Sequence, residues 1–250
     1  MGGPDGLVWA AGLAGIAVAA FVKGAVGFGY PLIATPLLAF ATDVRTAVAV
    51  LVIPNILMDG LQMVRRSGTV AVLRRHAPLI VTGIVGTVVG TQFLAVLSTR
   101  GLLLTLGVTV LVFVILSVAR PTWHIAPGSE RLLAPVVGLF AGTLGGITNT
   151  PAVALTPYYY AIGLPKAEFV RALSATFLVF KLAQLGAVWQ VGLIDRRVLL
   201  PWLTATVVSL AAFRLGLAAQ DRVPQATFNR AVLSMLTVVA VAMLVRALRS

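Results

Sequence analysis

The chain has 250 residues, of which 59% are apolar and only 10% are charged. Soluble domains average about 25% charged residues, so this composition excludes a soluble globular protein. It also excludes a disordered chain, which needs low hydrophobicity and high charge. Because a helix needs about 20 residues to cross a bilayer, the length allows about eight crossings with residues left for loops. We therefore predict an all-α polytopic membrane protein.

The formal net charge of +12 comes from basic residues that lie mostly between apolar runs. This distribution is typical of loops beside anionic lipid, so we predict the lipid bilayer, and no nucleic acid, as a partner. The chain has no cysteine, and His76 and His124 fall in loop-like stretches. We therefore expect no metal and no other cofactor. No Lys or Arg precedes Lys23, which favours residues 1–22 as part of the mature protein rather than a cleaved signal peptide.

Apolar runs of membrane-spanning length occur at six places in the chain. They cover residues 46–64, 77–97, 101–119, 172–190, 198–217 and 228–245. Two further apolar stretches, 7–42 and 132–162, are too long for one crossing and short for two. They are interrupted by the sequences GAVGFGYP at 24–31 and GGITNTP at 145–151. Glycine and proline end helices there, and irregular backbone within a membrane must line a cavity or be buried in protein.

The two interrupted stretches also match each other. An offset of 121 residues aligns Gly24 with Gly145 and Pro36 with Pro157, and the offset drifts slightly further along the chain. The sequence therefore predicts two tandem transmembrane repeats of about 123 residues each. They comprise residues 1–119 and 132–250, joined by a polar linker at 120–131. Helices broken at the same place in both halves indicate a transporter binding site.

The topology of the interrupted stretches decides how the repeats are related. If they cross the membrane, each half has four spans and the repeats are parallel. If they re-enter, each half has three spans plus a hairpin and the repeats are inverted. Either arrangement places ten basic residues on one side and six on the other. The short pieces 7–22 and 30–42, and an N-terminus without positive charge, favour re-entry and inverted repeats.

Few ionisable side chains fall inside the apolar runs, namely Lys23, Asp59, Lys181 and Arg214. Charges within a membrane are costly and indicate functional sites. For Lys23 and Arg214 the alternative is extension of the side chain to the membrane surface. Lys181 lies nine residues before Gln190, near the middle of its run, where such extension is harder.

Helical spacing groups the polar residues of two apolar runs. Asn55, Asp59 and Gln62 stand at i, i+4 and i+7, so they share one face of a helix. The residues of the second group, Ser174, Lys181 and Gln184, also share a face. We expect both faces to line a common cavity, the alternative being hydrogen bonds that only hold helices together.

A helix that begins within the membrane points its free N–H groups and positive dipole end at the break. Such N-termini are expected at Phe28-Gly29-Tyr30 and at Thr148-Asn149-Thr150. Together with two lysines and a single carboxylate, they predict an anion site. The predicted substrate-binding residues are Lys23, Gly27, Phe28, Gly29, Tyr30, Asn55, Thr148, Asn149, Thr150, Lys181 and Gln184, and the predicted coupling residue is Asp59.

The segment FVKGAVGFGYPLIATPLLAF at 21–40, its counterpart GLFAGTLGGITNTPAVALTPYYYAIGLP at 138–165 and the repeat length resemble the TauE/SafE family. That resemblance implies a membrane permease for export of sulfite, organosulfonates and related small sulfur-containing anions. The chain departs from the family pattern at Tyr30-Pro31 and at Thr148-Asn149-Thr150. Because both segments line the expected site, a bulkier organic anion is also plausible.

The sequence and the resemblance together favour a secondary transporter in a bacterial-type inner membrane. It would export a small sulfur-containing anion by alternating access, coupled to protons through Asp59 or driven by the membrane potential alone, and a homodimer is compatible with the sequence. An anion channel and an uptake permease for an organic anion are the alternatives. An enzyme is not expected, because the apolar runs contain no histidine, only one carboxylate and no Gly-x-Ser-x-Gly motif.

Overall fold

A computed structural model describes residues 4–64, 69–119, 123–219 and 225–249. In these ranges the chain forms eleven α-helices and one short 3₁₀ helix at Arg196–Val198, and no strand. The helices are α1 (Pro4–Val26), α2 (Tyr30–Ala41), α3 (Val44–Val64), α4 (Thr69–Arg75), α5 (Ala77–Val96), α6 (Thr99–Ala119), α7 (Pro127–Thr148), α8 (Ala152–Ala161), α9 (Lys166–Gln190), α10 (Leu199–Ala219) and α11 (Gln225–Arg249).

Eight of these helices are long and apolar enough to cross a membrane, namely α1, α3, α5, α6, α7, α9, α10 and α11. This confirms the predicted all-α polytopic fold class. The six clear apolar runs each become one helix, with the largest difference at α9, which begins at Lys166 rather than near residue 172. The first turns of α9 are charged, so hydropathy alone does not reveal where it starts.

The first interrupted stretch forms a helical hairpin. α1 ends at Val26, and Gly27 and Gly29 have φ values of +102° and +101°, which favour glycine. α2 then runs back along α1, because a Cβ on Gly12 would lie 3.2 Å from the side chain of Leu38. The start of α1 and the end of α2 therefore lie at the same end of the bundle.

The second interrupted stretch forms the same kind of hairpin. α7 ends at Thr148, Asn149 adopts a left-handed conformation with a φ of 67°, and α8 begins after Pro151. Asparagine tolerates this conformation better than most residues with side chains. The backbone N–H of Ile125, just before α7, donates to the carbonyl of Ala161 at the end of α8 over 2.9 Å. This hairpin also starts and finishes at one end of the bundle.

Arginine side chains show which helix ends lie beside the first hairpin. Arg45, at the start of α3, donates to the carbonyl of Leu94 near the end of α5 over 3.0 Å. Arg246, near the end of α11, donates to the carbonyl of Ala39 near the end of α2 over 3.3 Å. The start of α3 and the ends of α2, α5 and α11 therefore belong to one end of the bundle.

The second hairpin opens toward the opposite end. Glu130, near the start of α7, pairs with Arg75 at 3.4 Å. Arg75 lies at the end of α4, which follows α3 after that helix has crossed the bundle. The two hairpins therefore enter the bundle from opposite ends.

Each hairpin packs closely against a long helix of the other half of the chain. A Cβ on Gly24 of α1 would lie 2.3 Å from the carbonyl oxygen of Phe213 in α10. A Cβ on Gly142 of α7 would lie 2.1 Å from the carbonyl oxygen of Gly83 in α5. Only glycine allows such close backbone contact, so these packing faces hold both breaks in place against α10 and α5.

Candidate functional site

Lys23 forms a buried ion pair with Asp59. Its Nζ donates to Oδ1 of Asp59 over 2.6 Å and to Oδ1 of Asn55 over 2.8 Å. Both charged side chains are at most 1% exposed, so Lys23 does not extend to the surface as the alternative interpretation required. The pair joins the last turn of α1, just before the first break, to the middle of α3.

Two polar atoms of this first cluster have no hydrogen-bond partner. They are Nδ2 of Asn55 and Oδ2 of Asp59, and both are buried. Buried polar groups are nearly always paired, so two such atoms one helical turn apart mark a place where a further polar group can bind. Asn55 and Asp59 thus combine a role in holding Lys23 with free hydrogen-bonding capacity.

Lys181 lies in a second cluster whose other members, Asn149 and Gln184, are uncharged. Its Nζ donates to Oε1 of Gln184 over 2.6 Å, to the side-chain Oδ1 of Asn149, and to the backbone carbonyl of Asn149 over 3.3 Å. The residue is 1% exposed. Within the described ranges no carboxylate lies at ion-pair distance from Lys181. Its hydrogen-bond partners are therefore all neutral oxygen atoms.

A glutamine binds the free backbone of each break. Nε2 of Gln62 donates to the carbonyl of Gly27 over 3.0 Å. Nε2 of Gln184 donates to the carbonyls of Gly145 and Gly146 over 3.0 and 3.3 Å. These bonds satisfy carbonyls where the helices end, as a membrane interior requires.

The two faces predicted from helical spacing do meet. Oγ of Ser174 in α9 donates to Oε1 of Gln62 in α3 over 3.2 Å. Asp59 and Lys181 are also close enough to interact electrostatically. The lysine clusters of the two halves therefore form one connected polar region between α3 and α9.

Other predicted site residues lie beside this region and have different partners. The hydroxyl of Tyr30 shares a hydrogen bond of 2.9 Å with Ser209 in α10. The ring of Phe28 packs edge-on against Phe113 and Phe169 at centroid distances of 6.5 and 6.1 Å. The partners of both side chains here are residues other than the two lysines. Gly27 and Gly29 form the turn between α1 and α2 with positive φ values, and their predicted role in substrate binding stays a prediction.

The second break is tied to α2 as well as to Lys181. Nδ2 of Asn149 donates to Oγ1 of Thr35 over 3.3 Å, and the hydroxyls of Thr148 and Thr150 share a hydrogen bond of 2.5 Å. Asn149 therefore contacts α2 at Thr35, five residues after the N-terminus of that helix. Sequence reasoning missed Thr35 and also Ser209, because a single hydroxyl in an apolar helix gives no distinct signal.

His76 lies outside the spans, between α4 and α5, and is buried rather than in an open loop. Its ring packs against Tyr159 at 5.0 Å, and its Nδ1 lies 3.9 Å from Oε1 of Glu130. Burial, assisted by nearby Arg75, lowers the pKa of His76 to about 4. His76 is therefore neutral near pH 7, and the described residues contain no cluster of three metal-ligating side chains.

The fold is that of a polytopic membrane protein with two lysines and one aspartate buried within its spans. The family described as sulfite exporter TauE/SafE matches residues 11–243, nearly the whole chain. The chain therefore belongs to the TauE/SafE family, as its sequence motifs indicated. Comparisons with curated proteins and with solved structures give no match.

Proposed function

We propose that the protein is a secondary transporter that exports small sulfur-containing anions, such as sulfite or organosulfonates, by alternating access. The observation that carries this proposal is that buried Lys181 has only neutral hydrogen-bond partners. A buried cation without a counter-ion is costly, and an anion is the partner that would compensate it. Membership of a sulfite exporter family supports the same sign and class of substrate.

The anion would bind between α3 and α9, at the level of the two breaks. Lys181 and the amide of Asn149 would face it from the second half, and the free Nδ2 of Asn55 from the first. Asp59 would couple transport to protons, because its carboxylate lies next to this position and retains one unpartnered oxygen. Phe28, Tyr30, Thr148 and Thr150 would shape the walls.

Two inverted repeats would provide the two states that alternating access requires. The α1–α2 and α7–α8 hairpins enter from opposite ends, and each is followed by one long helix, one short helical segment and two more long helices. Each hairpin packs on the other half, α1 on α10 and α7 on α5. Small shifts of one half against the other would then open the central site to either end in turn.

The distribution of basic residues and the membrane potential support export across a bacterial-type inner membrane. If both interrupted stretches re-enter, counting along the sequence assigns ten basic residues to the α4 end of the bundle and six to the other end. The positive-inside rule would place the α4 end in the cytoplasm. The membrane potential, worth about 2.3 kcal/mol per charge at 100 mV, drives an anion outward from a negative interior.

The test is anion flux through purified protein in proteoliposomes. Lys181→Ala should reduce sulfite and sulfonate flux about tenfold or more, because it removes a charge-assisted hydrogen bond worth about 1.5–3 kcal/mol. The matched control is Arg214→Ala, which removes a basic residue from α10 that is exposed at the helix surface. Wild-type flux in Lys181→Ala would contradict the proposal. Flux that rises linearly with concentration, without counterflow, would favour a channel.

A further inference from the structure

The described part of the chain buries three charged side chains within its spans, Lys23, Asp59 and Lys181. Their formal charges sum to +1 when Asp59 is ionised and to +2 when it carries a proton. Uncompensated charge inside a membrane is expensive, so a bound anion should match the charge of its site. The protonation state of one carboxylate therefore changes which anion fits.

The hydrogen bonds that the two unpartnered atoms of the first cluster can form also depend on whether Asp59 is protonated. Nδ2 of Asn55 can only donate a hydrogen bond, whereas Oδ2 of an ionised Asp59 can only accept one. An oxyanion offers acceptors alone, so it would be held by Asn55 and repelled by Asp59. A proton on Oδ2 converts that atom into a second donor, one helical turn from the first.

Few other titratable groups face Asp59 from the helices packed on α3. Lys23 pairs with it from α1, and Lys181 lies near it on α9. Tyr30 on α2 has its hydroxyl bonded to Ser209. Arg45, Arg100, Glu168 and Arg214, on α3, α6, α9 and α10, lie at helix ends or on exposed surface. Lys166 begins α9, and Arg171, three residues before Ser174 on that helix, is half-buried with an unpartnered Nε. Asp59 is thus the one carboxylate that the described residues bury inside the site, and it lies between two buried lysines.

We propose that Asp59 sets the valence of the transported anion. With Asp59 ionised the site binds a monovalent anion, such as a sulfonate, without taking up a proton. A divalent anion binds together with one proton from solvent, which attaches to Oδ2 of Asp59 and leaves when the anion leaves. This inference rests on the proposed anion site and adds the charge class of its substrates.

The experiment measures how methanesulfonate (monovalent) and thiosulfate (divalent) bind to the full-length protein in detergent. The charge of each anion stays fixed from about pH 5 to pH 8, so any pH dependence of binding comes from the protein. We expect the Kd of methanesulfonate to stay constant across this range. The Kd of thiosulfate should rise about tenfold per pH unit once Asp59 is ionised, as linkage to one proton requires. Calorimetry in buffers of different ionisation enthalpy should report one proton taken up per thiosulfate and none per methanesulfonate.

Asp59→Asn mimics the protonated carboxyl in both charge and hydrogen bonding. It should bind thiosulfate tightly at every pH, with no proton uptake. The matched control is Asp43→Asn just before the same helix, where the carboxylate is exposed and accepts the N–H groups of Arg45 and Thr46. This control should keep the wild-type pH dependence, because asparagine preserves the cap and the site is untouched.

Asp59→Asn leaves Lys23 without its counter-ion and can therefore prevent folding. A second variant tests the inference without this problem. Lys23→Gln combined with Asp59→Asn removes the whole ion pair and keeps the site charge at +1. It should bind methanesulfonate, show no gain for thiosulfate and take up no proton.

Equal pH dependence for the two anions in the wild type would overturn the inference while leaving the anion site intact. Thiosulfate binding that still weakens with pH in the double variant would also overturn it. Failure of the wild type to bind either anion would overturn the proposed function as well.

Discussion

The two halves of the molecule build similar breaks around a buried lysine but treat its charge differently. In the first half Lys23 lies against the carboxylate of Asp59, whereas in the second half Lys181 lies against amide and carbonyl oxygens of Asn149 and Gln184. A carboxylate partner completes the first cluster. Neutral partners hold the second lysine in position and leave its charge available. The same arrangement of helices therefore surrounds one buried lysine that has a carboxylate partner and one whose hydrogen-bond partners are neutral.

The largest expected effect follows from breaking the complete pair. Lys23→Ala leaves the carboxylate of Asp59 buried without a counter-ion, which costs about 3–5 kcal/mol of folding free energy. Lys181→Ala removes a lysine whose partners are all neutral and should cost about 1–3 kcal/mol. Thermal unfolding in detergent should rank the two variants in this order. Combining Lys23→Ala with Asp59→Ala should recover much of the loss, and a further loss in the double variant would contradict the ion-pair assignment.

A smaller but more specific effect is expected from making the second cluster resemble the first. Asn149→Asp supplies Lys181 with a carboxylate at a position where aspartate tolerates the left-handed backbone. Stability should be retained, but anion affinity should fall about tenfold or more, since a charge-assisted contact worth about 1.5–3 kcal/mol is taken by the protein itself. Calorimetric titration with methanesulfonate measures the change. An Asn149→Asp protein that binds the anion as well as the wild type would show that Lys181 is not the binding group.

The smallest effects separate the backbone of the breaks from their side chains. Gly27→Ala places a side chain at a φ of +102°, 3.0 Å from Val170, and should cost about 1–2 kcal/mol. Glycine also adopts the left-handed backbone at position 149, so Asn149→Gly removes only the side-chain contacts to Lys181 and Thr35. The expected loss of folding free energy is about 0.5–1.5 kcal/mol.

Anion binding should rank the two variants in the opposite order from stability. Asn149→Gly should weaken anion binding, because it removes a partner that positions Lys181, whereas Gly27→Ala should lower the unfolding temperature with less change in binding. The same titration and thermal unfolding measure both. Equal losses of binding in the two variants would mean that the first break shapes the site as directly as the second.

Sequence alone predicted the helices and the two breaks because their signals are local. Apolar runs of about 20 residues identify spans, and glycine and proline identify where a helix ends. The intramembrane residues Lys23, Asp59 and Lys181 were also recognisable, since charge is rare in such runs.

The partners of these residues were not predictable, because they depend on how helices from distant parts of the chain pack. Helical spacing placed Asn55 and Asp59 on one face of α3, but it did not show that Lys23 would form an ion pair with Asp59. Tyr30 follows the first break directly, yet its hydroxyl bonds to Ser209 across the interface with α10. These contacts follow from the close packing of α1 against α10, which brings together residues nearly two hundred positions apart.

The most direct test of the account is the position of a bound anion in an experimental structure. A sulfonate that carries bromine, such as 2-bromoethanesulfonate, can be located by anomalous diffraction from crystals of the full-length protein. The account predicts sulfonate oxygens about 2.7–3.2 Å from Nζ of Lys181, between α3 and α9. A sulfonate found elsewhere, with Lys181 still bound only to Asn149 and Gln184, would contradict it.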